Sequence, residues 1–177
     1  MNAPLATRPA RRLRPGVRRA VLTVHIAASV ALLGSCAAIV AIHVRAASTS
    51  HAGLAASAYE LLGMFPTLFG IPLSLTALVT GVALGLGSRW GVLRYPWVAA
   101  KLVLLLSVIV VGAVVLGPQT AAMADQGSGS RALLIAASAW DVVALSVATC
   151  LSVYKPGRAR DRAAVRRRVR SISVSAA

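Results

Sequence analysis

Charge is scarce in this chain, and acid is scarcer still. Only 13% of its 177 residues are charged, about half the usual share in a soluble globular protein. Four are acidic, Glu60, Asp125, Asp141 and Asp161, against 19 Lys and Arg. So little charge beside 58% hydrophobic residues excludes an ordinary water-soluble domain and places the chain in the membrane class. Cysteine occurs twice, as Cys36 and Cys150. The two fall about 20 Å apart in depth at helical rise, too far for a disulfide, and both read as small apolar packing residues. No nucleophile motif, phosphate-cradling loop or paired-cysteine metal spacing occurs. The glycine-rich GLGSRWG follows an apolar run rather than a strand, so it reads as a turn. On these absences no catalytic residue, cofactor or metal is assigned, and the chain is expected not to be an enzyme.

What is abundant is uninterrupted apolar sequence. No Asp, Glu, Lys or Arg occurs between Arg19 and Arg45, or between Glu60 and Arg89. A third run follows Arg94 and holds only Lys101, and a fourth lies between Arg131 and Lys155 and holds only Asp141. Each run can cross a hydrocarbon layer of roughly 30 Å as a helix of about 20 residues. The expected fold is all-α, a four-helix transmembrane bundle with spans at about 20–44, 61–86, 97–116 and 132–154. A basic tail at 1–19 and an Arg-rich tail at 155–177 flank it. The first run covers 25 residues, well beyond a signal-peptide core, so cleavage is not expected.

The basic residues are unevenly shared. An even number of spans puts both tails and the middle turn on one side, and that side holds 17 of the 19 basic residues. The positive-inside rule then predicts a multi-pass protein of the cell membrane with both termini cytoplasmic. Anionic lipid headgroups are the expected partners of the basic tails. Nucleic acid is not, since no aromatic residues interleave with the charge.

Along the chain, Ala27, Ala31 and Ser35 form a small stripe on the first span. HAGLAASAYELL in the first outer loop suits a short interfacial helix. Pro66 and Pro72 predict a kink in the second span. Its inner half carries Ala77, Gly81 and Gly85, a small-xxx-small row for close helix packing. That row suits the first span or a second copy of the chain, and the whole protein is expected as a homo-oligomer or beside another membrane subunit. Trp90, Tyr95 and Trp97 suit the headgroup level of the middle turn. The third span is expected to end at Gly117-Pro118, leaving an outer loop from Gln119 to Ser130. Val165, Val169 and Ile172 would share one face if the last tail were helical.

Three ionisable residues fall at membrane depth, His25, Lys101 and Asp141, and such residues are functional candidates by default. Asp141 sits close to mid-membrane. It reads either as a proton or cation site, or as a structural hydrogen-bonding group with Ser74, Thr76 or Thr80 as partner. Lys101 lies one turn into the third span and can snorkel toward the cytoplasm. It differs from Asp141 by about 10 Å in depth, which disfavours an ion pair. His25 lies about 27 Å along the first span from His43, so the two cannot hold one haem or metal. His43, His51 and Glu60 read as a solvated outer rim, with a surface metal as the alternative.

TVHIAASVALLGS and TALVTGVALGLGSRWGVLRYPWVAAKLVLLL carry a resemblance. Their order of His25, Thr80, Gly81, Trp90, Gly91, Trp97 and Lys101 resembles an uncharacterised bacterial family of small four-span predicted integral membrane proteins. That family is itself distantly similar to the copper-resistance membrane domain. The likeness covers most of residues 20–155 and implies a fold rather than an activity. The leading expectation is a structural or accessory membrane component. The alternatives are a small transporter or proton-coupled permease using Asp141, and a haem- or redox-linked membrane subunit.

Overall fold

The computed structural model describes residues 14–86 and 96–154. All regular structure among them is helical. Helix α1 spans Pro15–Ser48, α2 Ala52–Phe65, α3 Ile71–Leu86, α4 Pro96–Val111, α5 Gly117–Gln126 and α6 Arg131–Tyr154. Two wide turns of π-helix, Pro66–Gly70 and Gly112–Leu116, join α2 to α3 and α4 to α5. The chain therefore forms four rods, and each is long and apolar enough to cross a membrane. Trp90, Gly91 and Tyr95 of the middle turn, and both basic tails apart from residues 14–19, lie outside the described residues.

The rods outrun the expected spans. Ala52–Leu86 has 35 residues and Trp97–Gln126 has 30, about 52 and 45 Å at helical rise. HAGLAASAYELL is helical from Ala52 onward and runs straight into the second span instead of forming a separate helix. The third rod does not stop at Gly117-Pro118. It continues to Gln126, and only residues 127–130 remain as a turn. The reason is the same in both rods. Proline lacks an N–H, and its ring clashes with the carbonyl four residues back. Here the residue just before each proline bonds five back: Ile71 N–H reaches the Pro66 carbonyl, and Gly117 N–H reaches that of Gly112. One widened turn relieves the clash at Pro72 and at Pro118, so each helix continues past its proline.

The turn after α5 is tightly specified. Gly127 takes φ 63°, the left-handed region, and donates its N–H to the Ala122 carbonyl, a common helix stop. Ser130 then caps α6, its hydroxyl accepting from Leu133 N–H at 3.3 Å.

In the bundle, α1 packs against α3 and α6, α4 against α6, and α2 against α5. The end bearing the α1–α2 and α5–α6 turns is termed distal, and the other proximal. A distal apolar cluster joins Ala46, Tyr59, Leu62, Leu116, Met123, Leu134 and Ala137. A proximal one joins Leu32, Cys36, Val108, Ala144 and Leu145. Large apolar side chains cover the outside, among them Val30, Val79, Val103 and Val114, each more than 60% exposed. Such a surface suits lipid rather than water. The buried stripe of α1 is not Ala27, Ala31 and Ser35, since Ala27 and Ala31 face outward. It runs one residue over, through Ala28, Leu32, Cys36, His43 and Ala46.

Candidate functional site

Two polar sites are built on α1, one toward each end. The proximal site is the seat of His25 on α3. Ala77 and Gly81, two of the small residues of α3, lie against His25 of α1. His25 Nδ1 lies 3.1 Å from the Ala77 carbonyl and 3.0 Å from Thr80 Oγ1. A carbonyl only accepts, so Nδ1 carries the proton and donates. The Thr80 hydroxyl donates to the Thr76 carbonyl, which leaves its oxygen to accept from the imidazole. Gly81 lies under the ring: a Cβ there would stand 3.1 Å from His25 Cε1. Three of the residues that carry the family resemblance, His25, Thr80 and Gly81, thus meet in one contact.

Two more of them meet on α4. The Lys101 ammonium lies over the Trp97 ring, 4.7 Å from its centroid. Trp97 is one turn toward the helix N-terminus, the direction in which helical side chains lean, and a cation over an indole face is attracted by its quadrupole. Lys101 is also close enough for its charge to act on His25.

The distal site lies at the seam between the two apolar clusters, where α1 faces α6. Asp141 is 3% exposed and His43 1%. Asp141 does not bond to Ser74, Thr76 or Thr80. Each of those hydroxyls is taken by a carbonyl of its own helix, Ile71, Pro72 and Thr76 respectively. Lys101 does not pair with it either, and Asp141 Oδ1 is buried without a hydrogen-bond partner. Cys36 of α1 lies within electrostatic reach of the carboxyl. Cys36 and Cys150 are both free thiols, the first buried and the second exposed.

His43 departs most from expectation, because it is part of the core and not of a solvated rim. His51 and Glu60 are exposed. The three do not converge, and no group of three His, Cys, Asp or Glu side chains gathers among the described residues. His43 Nδ1 lies 3.2 Å from Ser138 Oγ, and its ring sits beside Tyr59, centroids 6.3 Å apart. The signal for this burial was periodic. Leu32, Cys36, Ile39, His43 and Ala46 recur at steps of four and three, the spacing of one helix face. Leu134, Ser138, Asp141 and Leu145 form the matching stripe on α6.

Residues 19–155 match the family described as "Predicted integral membrane protein (DUF2269)". No curated protein and no solved structure matches the chain. The match runs from just before the first apolar run to just past the last, and takes in both polar sites and all four rods but for the first four residues of α1. The chain therefore belongs to the DUF2269 family of predicted integral membrane proteins.

Proposed function

We propose that this protein is a non-enzymatic, proton-coupled component of the membrane, with Asp141 as the group that takes up and releases the proton. One observation carries the reading: Asp141 Oδ1 is sealed in the bundle with no hydrogen-bond partner. A carboxylate placed so costs several kcal/mol in an apolar interior. A structural role would call for a donor or a cation at Oδ1, and among the described residues no side chain or backbone group bonds to it. Proton uptake cancels the charge that the apolar surroundings penalise. The purified protein in liposomes, under an imposed pH gradient and with an internal pH dye, should carry protons above the empty-vesicle rate. Asp141→Asn should bring that rate down at least about tenfold, the size expected when an essential proton carrier is removed. A wild-type rate equal to that of empty vesicles, or an unchanged rate in the variant, would sink the proposal.

The placement of charge supports an orientation with both termini in the cytoplasm of the cell membrane, the distal end facing out. Alkaline phosphatase fused to either terminus should then be inactive, and activity at either end would reverse the assignment. Copper carriage, implied by the distant similarity to the copper-resistance domain, draws no support from the described residues, which bring no three His, Cys, Asp or Glu side chains together. A second reading, an accessory subunit or homo-oligomer, is favoured by the outward row of Ala27, Ala31 and Gly34 on α1. Gly34 has nothing within 4 Å of its Cβ position, so a neighbouring helix could approach closely there. Cysteine crosslinking from Ala31 in native membranes should yield a discrete adduct, and a wholly monomeric product would count against this reading.

A further inference from the structure

We infer that His43 is the proton-exchange partner of Asp141, the two being joined by one water molecule held between α1 and α6. The inference rests on the proton-coupled reading and identifies the second group of that site.

The argument begins with the Ser138 hydroxyl. It donates to the Leu134 carbonyl at 2.7 Å and so has no proton left for His43. The imidazole must therefore donate through Nδ1 to Ser138 Oγ, at 3.2 Å. That fixes the tautomer and leaves Nε2 as a bare lone pair. Nε2 is buried and has no partner. Asp141 Oδ1 is in the same position. Among the buried side-chain nitrogen and oxygen atoms of the described residues, only these two are unpartnered, and they lie on facing stripes of one helix pair. Buried polar atoms nearly always find a partner, so two exceptions in one place point to something they share.

Their spacing indicates what that is. Ser138, level with His43, precedes Asp141 by three residues on α6, about 4.5 Å along the axis. Nε2 and Oδ1 share no hydrogen bond, and an offset of this size leaves room for one water making two hydrogen bonds of about 2.8 Å each. Such a water donates one proton to Nε2 and one to Oδ1, giving each its missing partner. Transfer then balances. A proton arriving from the distal side binds Nε2 and gives the imidazolium. The imidazolium returns that proton to the water as the water passes one to Asp141 Oδ1. Neutral imidazole, water and carboxylic acid remain.

Other titratable neighbours are few. Cys36 of α1 lies within electrostatic reach of Asp141, and Tyr59 of α2 stands beside His43. From α4 and α5, Val108 and Met123 join the flanking clusters, and neither titrates. His43 is five residues from the distal end of α1, which makes it the nearer of the pair to that surface.

The test uses infrared difference spectroscopy on the full chain in liposomes, alongside the proton-flux assay. The carboxylic acid band of Asp141 is first assigned by its loss in Asp141→Asn. His43→Phe should keep the band, shift it, and slow its hydrogen–deuterium exchange at least tenfold. Proton flux should fall by a similar factor. His43→Gln, which keeps a polar group at the site, covers the case in which the phenylalanine variant fails to fold. An Asp141 band unmoved in both variants, with unchanged exchange, overturns the inference. Flux that depends on Asp141 but is indifferent to His43 overturns it too, while leaving the proton-coupled reading intact. A wild-type protein without flux defeats that reading, yet the band shift still decides whether the two groups are joined.

Discussion

Gly81→Leu is expected to destabilise the bundle by about 3 kcal/mol. Forcing methylenes into a filled contact costs about 1–3 kcal/mol, and an interhelical hydrogen bond in a membrane adds about 0.6. Both apply at this position. A Cβ on Gly81 already comes to 3.1 Å from His25 Cε1 and 3.6 Å from Nδ1. In Gly81→Ala the ring can tip by a few tenths of an ångström, so the loss should stay below about 1 kcal/mol. A leucine has nowhere to go. It lifts the imidazole off α3, breaks the bonds to the Ala77 carbonyl and Thr80, and parts α1 from α3 at this contact. Unfolding in mixed micelles should show a graded loss from wild type through alanine to leucine. His25→Ala in the leucine background should recover much of it by making room. If leucine costs no more than alanine, α1 does not rest on Gly81.

Much of this architecture was legible because the lipid environment sets strict terms. Backbone groups in hydrocarbon must be satisfied internally, so four long apolar runs read as four helices. Hydropathy alone told that much. The contact at Ala77 and Gly81 also left a trace, since residues without bulk four apart leave a flat helix face. Two features escaped, each for a definite reason. Pro118 looked like a stop because proline forbids an α-helical bond, but a single five-back bond from Gly117 lets the chain continue. His43 looked like a rim residue because it lies near the end of its apolar run. Burial came from α2, whose Tyr59 covers the ring, and no one-dimensional profile shows which neighbouring helix will cap a site. The partners proposed for Asp141 failed on a simpler ground: in apolar surroundings Ser74, Thr76 and Thr80 bond to their own helix first.

Asp141 and Ser138, one turn apart on α6, should respond to alanine with opposite signs. Ser138 is fully engaged, donating to Leu134 and accepting from His43. Its removal leaves His43 Nδ1–H without an acceptor, and an orphaned buried donor costs about 1–3 kcal/mol. Ser138→Ala should therefore destabilise. Asp141 Oδ1 has no protein group to lose. Asp141→Ala removes a buried polar group whose desolvation carries a similar penalty of about 1–3 kcal/mol, and it places the best helix former in the middle of a helix. The space left by the carboxyl takes back part of the gain. The net result should be a bundle more stable by about 1 kcal/mol, read as a rise in Tm of about 2–4 °C for a chain of this size. Proton movement should be lost in the same variant. Gain of stability with loss of activity is the mark of a group retained for function against the preference of the fold. A drop of 1 kcal/mol or more in Asp141→Ala would mean that the carboxyl holds the bundle together, and the case for a proton site would lose its foundation.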